Sequence, residues 1–275
     1  MSTLKDQTVF ITGASRGIGR AIALACARQG ANVIIAAKSD TPHPKLPGTI
    51  HTVAEEVRAA GGQALPLVLD VRDENQIKQR IDEAADHFGG IDALINNAGA
   101  IRLTGVENLK VSRFDLLHQV NARAVLACSQ AALPWLKKSK RAHILSMSPP
   151  LNLDPKWFAQ FGPYTSTKYA MTMISIGMAQ EFKRYGIAVN TLWPKTLIST
   201  AAIEHEAGGA QMMAQGRTPE IMADAAVSIL NHSIEEMTGQ NLIDEDVLRQ
   251  DGVTDFEGYR YEANDKPLLP DLYLD

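Results

Sequence analysis

The feature that most constrains this chain is an alternation. Short apolar runs rich in Val and Ile are separated by longer stretches whose apolar residues fall at helical spacing. Such a run reads as a strand buried on both faces. A helix between successive runs returns the chain to the same edge, so the strands must lie parallel. Seven strands are predicted, at residues 8–12, 32–37, 64–69, 91–95, 143–147, 187–192 and 240–243. Ile77, Ile81 and Ala84 mark one intervening helix, and Leu116, Val120, Ala124 and Ala127 mark another. Asp73 is placed to cap the first of these, and Gly89-Gly90 to stop it. No repeat, linker or low-complexity tract interrupts the pattern up to residue 245. The expected class is α/β, with residues 1–275 forming a single doubly wound domain: a seven-stranded parallel sheet with helices on both faces.

Three stretches fall outside the alternation. Residues 41–47 contain Pro42, Pro44 and Pro47, which suit a surface loop and neither helix nor central strand. Residues 200–214 follow the sixth strand, where a doubly wound sheet opens its ligand crevice; they read as a substrate lid with a hinge at Gly208-Gly209. Residues 246–275 mix charges, Gly and Pro with Leu and Tyr. That apolar content predicts a tail docked on the body or on a neighbouring subunit.

A net charge of -4 and a pI near 6.0 give no global attraction to nucleic acid or anionic lipid, so a small-molecule ligand is expected. Cys26 and Cys128 fall in helical patterns and read as packing residues, which fits a reducing compartment. The first seven residues carry no apolar signal core. No run approaches the roughly 18 to 20 apolar residues of a membrane span. A cytoplasmic protein is expected. The histidines show no metal-ligand spacing, so no metal site is expected.

The first chemical motif is Thr12-Gly13-Ala14-Ser15-Arg16-Gly17-Ile18-Gly19, between the first strand and its helix. Glycines there let the backbone turn tightly and approach a pyrophosphate, while the helix presents free N–H groups and a partial positive charge. This is the Rossmann arrangement for a dinucleotide. The second strand ends Ala36-Ala37-Lys38-Ser39, without the carboxylate that usually holds the ribose of NAD. Lys38 and Arg16 are instead placed to bind a 2'-phosphate, so NADP is the expected cofactor.

The second motif, Tyr164-Thr-Ser-Thr-Lys168, sets a phenol and an ammonium one helical turn apart. A free Tyr has a pKa of about 10. A cation held beside it is expected to favour phenolate, lower that value and make the pair a general acid/base. Asn96-Asn97-Ala98-Gly99 follows the fourth strand, where its amides can tie strand ends beside the cofactor. Asn121 interrupts an apolar helical face.

Thr-Gly-x-x-x-Gly-Ile-Gly, Asn-Asn-Ala-Gly and Tyr-x-x-x-Lys, in this order and at these distances, resemble the short-chain dehydrogenase/reductase family over residues 7–245. Ala36-Ala-Lys-Ser, Pro42-His-Pro-Lys, Ser148-Pro-Pro-Leu-Asn152 and Trp193-Pro-Lys-Thr196 are similar to its hydroxysteroid dehydrogenase-like group. Vertebrate members of that group add a sterol-carrier domain, which a chain of 275 residues is not expected to hold. The resemblance implies a homodimer or homotetramer that moves a hydride to or from a carbonyl or alcohol carbon of an apolar, lipid-like or steroid-like substrate. It implies that Tyr164 is the proton donor, that Lys168 also binds the nicotinamide ribose, and that Asn121 supports a water-linked proton path. It places Asp70 at the adenine and Asn97, Pro194 and Thr196 beside the cofactor.

The chain departs from the family pattern twice. The usual catalytic serine is displaced: counting back from Tyr164 lands on Leu151, and strand alignment lands on Pro149. Ser148 is expected to supply the missing hydroxyl, with Asn152 as the reserve. Pro194 is followed by Lys195 where glycine is usual, which predicts a differently shaped loop. The serine departure also motivates an alternative reading, a nucleotide-binding protein that has lost most turnover.

Overall fold

A computed structural model of the chain describes residues 4–44, 46–206 and 209–274. Lys45 of the proline loop and Gly208 of the expected hinge lie outside the described residues. The first half runs β1 (Thr8–Thr12), α1 (Gly17–Arg28), β2 (Asn32–Ala37), α2 (Ile50–Ala59), β3 (Gln63–Val68), α3 (Glu74–Phe88) and β4 (Ala93–Asn96). Next come α4 (Val111–His118), a π-helical turn (Gln119–Arg123), α5 (Ala124–Leu136), β5 (Ala142–Met147), α6 (Lys156–Ala159), α7 (Gly162–Phe182) and β6 (Ile187–Trp193). The chain then forms α8 (Ala201–Glu206), α9 (Gly209–Met213), α10 (Glu220–Asn231), β7 (Asn241–Ile243) and α11 (Asp244–Gln250).

The strands form one parallel sheet in the order β3-β2-β1-β4-β5-β6-β7. Alternate residues of each strand feed opposite layers. Val9 and Ile11 pack with Ile22 and Cys26 of α1, Val53 and Val57 of α2, and Ile221 and Met222 of α10. Phe10 packs on the other face with Ile77 and Ile81 of α3, Val125 and Cys128 of α5, and Met171 and Met178 of α7. Each fully buried Val, Ile or Leu contributes roughly 1.5 to 3 kcal/mol. The two layers, rather than the propensity of short strands, therefore hold the sheet. The thiols of Cys26 and Cys128 are buried in these layers, and burial pushes both pKa values up to about 12.

Asp73 caps α3 by accepting from the Gln76 amide, and Gly89 ends it at φ 83°. The continuous helix read through residues 116–127 is broken by the π turn. Asn121 lies in that turn, and its buried amide bonds the loop after β4. β3 lies at the sheet edge, pairing with β2 alone, where Pro66 is tolerated despite its missing N–H.

At the other end of the sheet, β7 delivers Asp244 and Glu245 into a buried polar hub. Glu245 takes Arg217 at 2.6 Å, Arg249 at 2.8 Å and Lys195 at 3.0 Å. Burial opposes its charge, but these hydrogen bonds hold its pKa down at about 2. The Glu245 and Arg217 side chains are only 7% and 8% exposed, so removing one leaves the other charge stranded. Glu245→Ala is expected to destabilise the fold by about 3 to 5 kcal/mol in urea unfolding. A loss below about 1 kcal/mol would mean the pair behaves like a surface ion pair.

Candidate active site

β1 passes into α1 through the glycine turn at residues 12–19. Gly13 holds φ 68°, and a Cβ there would lie 2.9 Å from the Ala98 Cα; a Cβ at Gly19 would meet the Gly13 carbonyl oxygen at 2.6 Å. The two glycines therefore let the turn close on the loop after β4. Asn97 fastens that closure, donating from Nδ2 to the carbonyls of Thr12 (2.9 Å) and Gly13 (3.2 Å). Asn96 ties strands instead, donating to Ser129 and Ser146. At Gly17, φ is 54°, a left-handed conformation that favours glycine, and a Cβ would make ordinary contact with the Thr200 side chain at 3.5 Å. Ser15 is buried beside it. Arg16 precedes α1 in extended conformation without a side-chain cap, and the first helical bond runs from Arg20 N to Arg16 O. The N–H groups of Gly17, Ile18 and Gly19 thus have no intrahelical partner, the condition for receiving a phosphate.

The Arg16 guanidinium reaches the end of β2, donating to Ser39 Oγ (2.8 Å) and to the carbonyls of Pro47 (2.9 Å) and Gly48 (3.3 Å). The proline loop therefore serves to aim this cation. Lys38 is exposed beside it. Asp70 follows β3, where both its carboxylate oxygens accept from Arg72. The Arg72 hydrogen bond holds the Asp70 pKa below the ordinary value. An adenine here would meet a carboxylate already paired, a partnership the spacing of the strands gave no means to foresee.

Tyr164 and Lys168 lie on α7, each 6% exposed, at the carboxyl edge of the sheet. Lys168 Nζ donates to the Met147 carbonyl at 2.5 Å and sits 5.0 Å from the centre of the Trp193 ring. Burial pushes its pKa down to about 7, while Asp271 acts upward. The expected lowering of the Tyr164 pKa is not found. Burial first, then the nearby Tyr273 and Asp271, raise it well above its ordinary value. The phenol is therefore held protonated, as suits a proton donor.

Asn121 accepts from Ala100 N (2.8 Å) and donates to Ala100 O (3.0 Å) and Thr167 Oγ1 (2.9 Å). It clamps the loop after β4 to α7. Beside Ala100 a cavity of about 330 Å³ opens, lined by Ile101, Leu109, Leu116 and Leu117 with Arg113.

Ser148 departs from its expected role. It is fully buried and its hydroxyl bonds the Lys168 carbonyl (2.9 Å) and Thr172 Oγ1 (2.5 Å). The strand delivers Ser148 against α7, where both of these bonds are made. Asn152 is also engaged, donating from Nδ2 to the Tyr273 carbonyl at 3.2 Å. Pro194 leads into a loop without left-handed strain at Lys195, whose N–H is held by Asp244 at 2.8 Å. The neighbouring Thr196 hydroxyl is buried without a hydrogen-bond partner. Such an orphaned group at the carboxyl end of β6 fits a site completed by a cofactor.

This turn, tyrosine–lysine pair and sheet order belong to one family. A model described as short chain dehydrogenase matches residues 7–208, and the chain is a member of the short-chain dehydrogenase/reductase family. Among curated relatives, Hydroxysteroid dehydrogenase-like protein 2 of Danio rerio is 54% identical over 268 residues, which are 98% of this chain and 64% of that protein. The chain thus spans less than two thirds of that relative. A solved putative dehydrogenase from Xanthomonas campestris is 50% identical, with 99% of each chain covered and a TM-score of 0.95. A Burkholderia cenocepacia short chain dehydrogenase in complex with NADP is 28% identical, with 88% and 97% covered and a TM-score of 0.75. An NADH-dependent reductase responsible for alginate metabolism is 26% identical, with the same coverage and a TM-score of 0.72.

The inward bonds of Ser148 give a definite expectation. Ser148→Ala should lower stability by about 1 to 2 kcal/mol, because it strips a buried partner from α7. It should leave kcat within about threefold of wild type on a carbonyl substrate found by screening. A loss of about tenfold in kcat without a loss in stability would restore the serine as a donor to substrate.

Proposed function

We propose that this chain is an NADP(H)-dependent oxidoreductase acting on a carbonyl or alcohol carbon of a small apolar, lipid-like or steroid-like compound. The observation that carries this reading is the buried Tyr164–Lys168 pair on α7, facing the carboxyl edge at which the glycine turn also opens. The residues present fit the cofactor. The N–H groups of Gly17, Ile18 and Gly19 at the start of α1 would hold the pyrophosphate, and Arg16 and Lys38 the 2'-phosphate. Pro194, Thr196 and the ribose-binding Lys168 would face the nicotinamide end, with Asn97 keeping the turn in place. When bound, the nicotinamide supplies or accepts the hydride.

This chain's own residues manage the proton and the surroundings. Tyr164 holds a proton at Oη and is placed to pass it to a substrate oxygen. Lys168 contributes positive charge beneath it, and Asn121 ties the loop after β4 to α7. Phe161, Trp157, Tyr169, Trp193 and Tyr273 surround the pair with aromatic surface, which supports an apolar substrate. A second reading, a cofactor-binding protein with weakened turnover, draws support from Pro149 at the serine position and the inward Ser148.

Two substitutions test the site, and the wild-type chain separates the readings. Lys38→Asp should weaken NADPH binding by on the order of 2 to 3 kcal/mol and NADH binding much less; equal effects on both would refute the 2'-phosphate assignment. Tyr164→Phe keeps the ring but removes the proton. NADPH should still bind while turnover in a panel of ketones and quinones falls by at least about 10²-fold. A wild-type chain that binds NADPH but turns over nothing in that panel would favour the second reading.

A further inference from the structure

The cavity of about 330 Å³ beside Ala100 has a lining of two kinds. Leu117, 2% exposed, forms its inner wall, with Ile101, Leu109 and Leu116 half-buried around it. Leu117 also belongs to the buried cluster that contains Tyr164 and Trp193, and Ile101 and Leu109 pack against that cluster. The solvent side is different. Arg102, Lys110 and Arg113 line it, and all three are exposed. No described lining residue is acidic; Glu107 and Asp115, in the same stretch, stay outside the lining. The volume falls in the range of about 300 to 1,000 Å³ that small-molecule sites occupy.

These cations stand where the fold gains little from them. Among the described residues Lys110 and Arg113 have no ion-pair partner, whereas Arg20, Arg58, Arg72 and Arg123 each meet a carboxylate. Lys110 is the N-cap of α4 and Arg113 lies in its first turn, which holds no acidic residue. Positive charge at the amino end of a helix opposes the helix dipole, and an anion in the cavity would offset that cost. The cavity also adjoins the catalytic edge. Asn121 holds both backbone groups of Ala100 while donating to Thr167 of α7. Further along the same loop, a Cβ at Gly105 would come 3.3 Å from the Gln160 carbonyl oxygen, just before α7 begins.

We propose that this cavity seats the anionic end of the substrate, a long-chain oxo- or hydroxy-carboxylate: the carboxylate at Arg113, Lys110 and Arg102, the chain running inward along Leu116, Ile101 and Leu117 toward Tyr164. The proposal narrows the apolar compound of the functional reading to one that carries a negative charge, and its link to Tyr164 rests on that reading. Two forces divide the recognition. The aliphatic wall takes chain methylenes out of water, which favours binding in proportion to the apolar area covered. The cations add charge-assisted contacts that a neutral alcohol does not make, and they repel a cationic head.

The test is calorimetric titration of the whole chain with decanoate, 1-decanol and decyltrimethylammonium, which share an apolar chain and differ in charge. Decanoate should bind about tenfold more tightly than either of the others, and added salt should erode that preference. Arg113→Gln and Lys110→Gln should each weaken decanoate by roughly three- to tenfold and leave decanol unchanged. Both residues are exposed, and unchanged NADPH affinity in each variant checks that it folds. Leu116→Trp should fill the cavity and weaken decanoate and decanol alike. Equal affinity for decanoate and decanol in wild type, or decanoate binding untouched when Lys110→Gln and Arg113→Gln are combined, overturns the proposal. Decanoate should also compete with a neutral ketone that the wild-type chain reduces; binding without competition overturns the placement of the cavity on the path to Tyr164. A chain that binds decanoate through Arg113 but turns over no carbonyl compound supports the anion site and overturns the catalytic reading alone.

Discussion

The constraint on which the rest depends is the burial of the central strands on both faces. A parallel sheet covered by α1, α2 and α10 on one side and α3, α5 and α7 on the other admits a polar side chain along its length only where a partner meets it, as Ser146 meets Asn96 and Ser175. Charged chemistry is displaced to the carboxyl ends, where strands give way to loops and to the open amino termini of helices. The chain reverses its winding between β1 and β4, and the glycine turn and the Asn97 loop meet at that junction.

α7 performs a second service beyond carrying Tyr164 and Lys168. Its face toward the sheet carries polar residues beside Met171 and Met178: Ser175 bonds Ser146, Thr172 bonds Ser148 and the Pro149 carbonyl, and Lys168 bonds the Met147 carbonyl. β5 is thereby stitched to the helix along its last residues. Ser148 is spent on that stitching. A hydroxyl that the alternation of a strand places near the carboxyl edge can face either a helix or a ligand, and here the helix takes it.

The hub at Asp244 and Glu245 explains why lysine follows Pro194. A glycine would give the loop freedom; Lys195 instead gives it two attachments, its N–H on Asp244 and its ammonium on Glu245. The same stretch accepts the returning carboxyl-terminal strap through Lys195 O and Thr196. Loop, hub and strap are joined by these bonds, and the aromatic residues gathered around Tyr273 form a buried cluster of their own that includes Tyr164.

Much of this was legible in the residues alone. Periodicity gave the seven strands to within one or two positions, because burial on both faces writes itself directly as apolar runs. The glycine turn and the Tyr164–Lys168 spacing pointed to the site because local backbone geometry demands those residues there. Direction and proximity across long separations were not legible. Whether Ser148 points at a ligand, whether Asp70 is free or bound to Arg72, and how burial shifts Tyr164 depend on what packs against each side chain. The apolar content of residues 246–275 announced a docked tail, but not its destination. Only the tertiary structure carries Tyr273 across 108 residues of sequence to Thr165, because side-chain neighbourhoods are set by the layers that a chain folds into and not by its order.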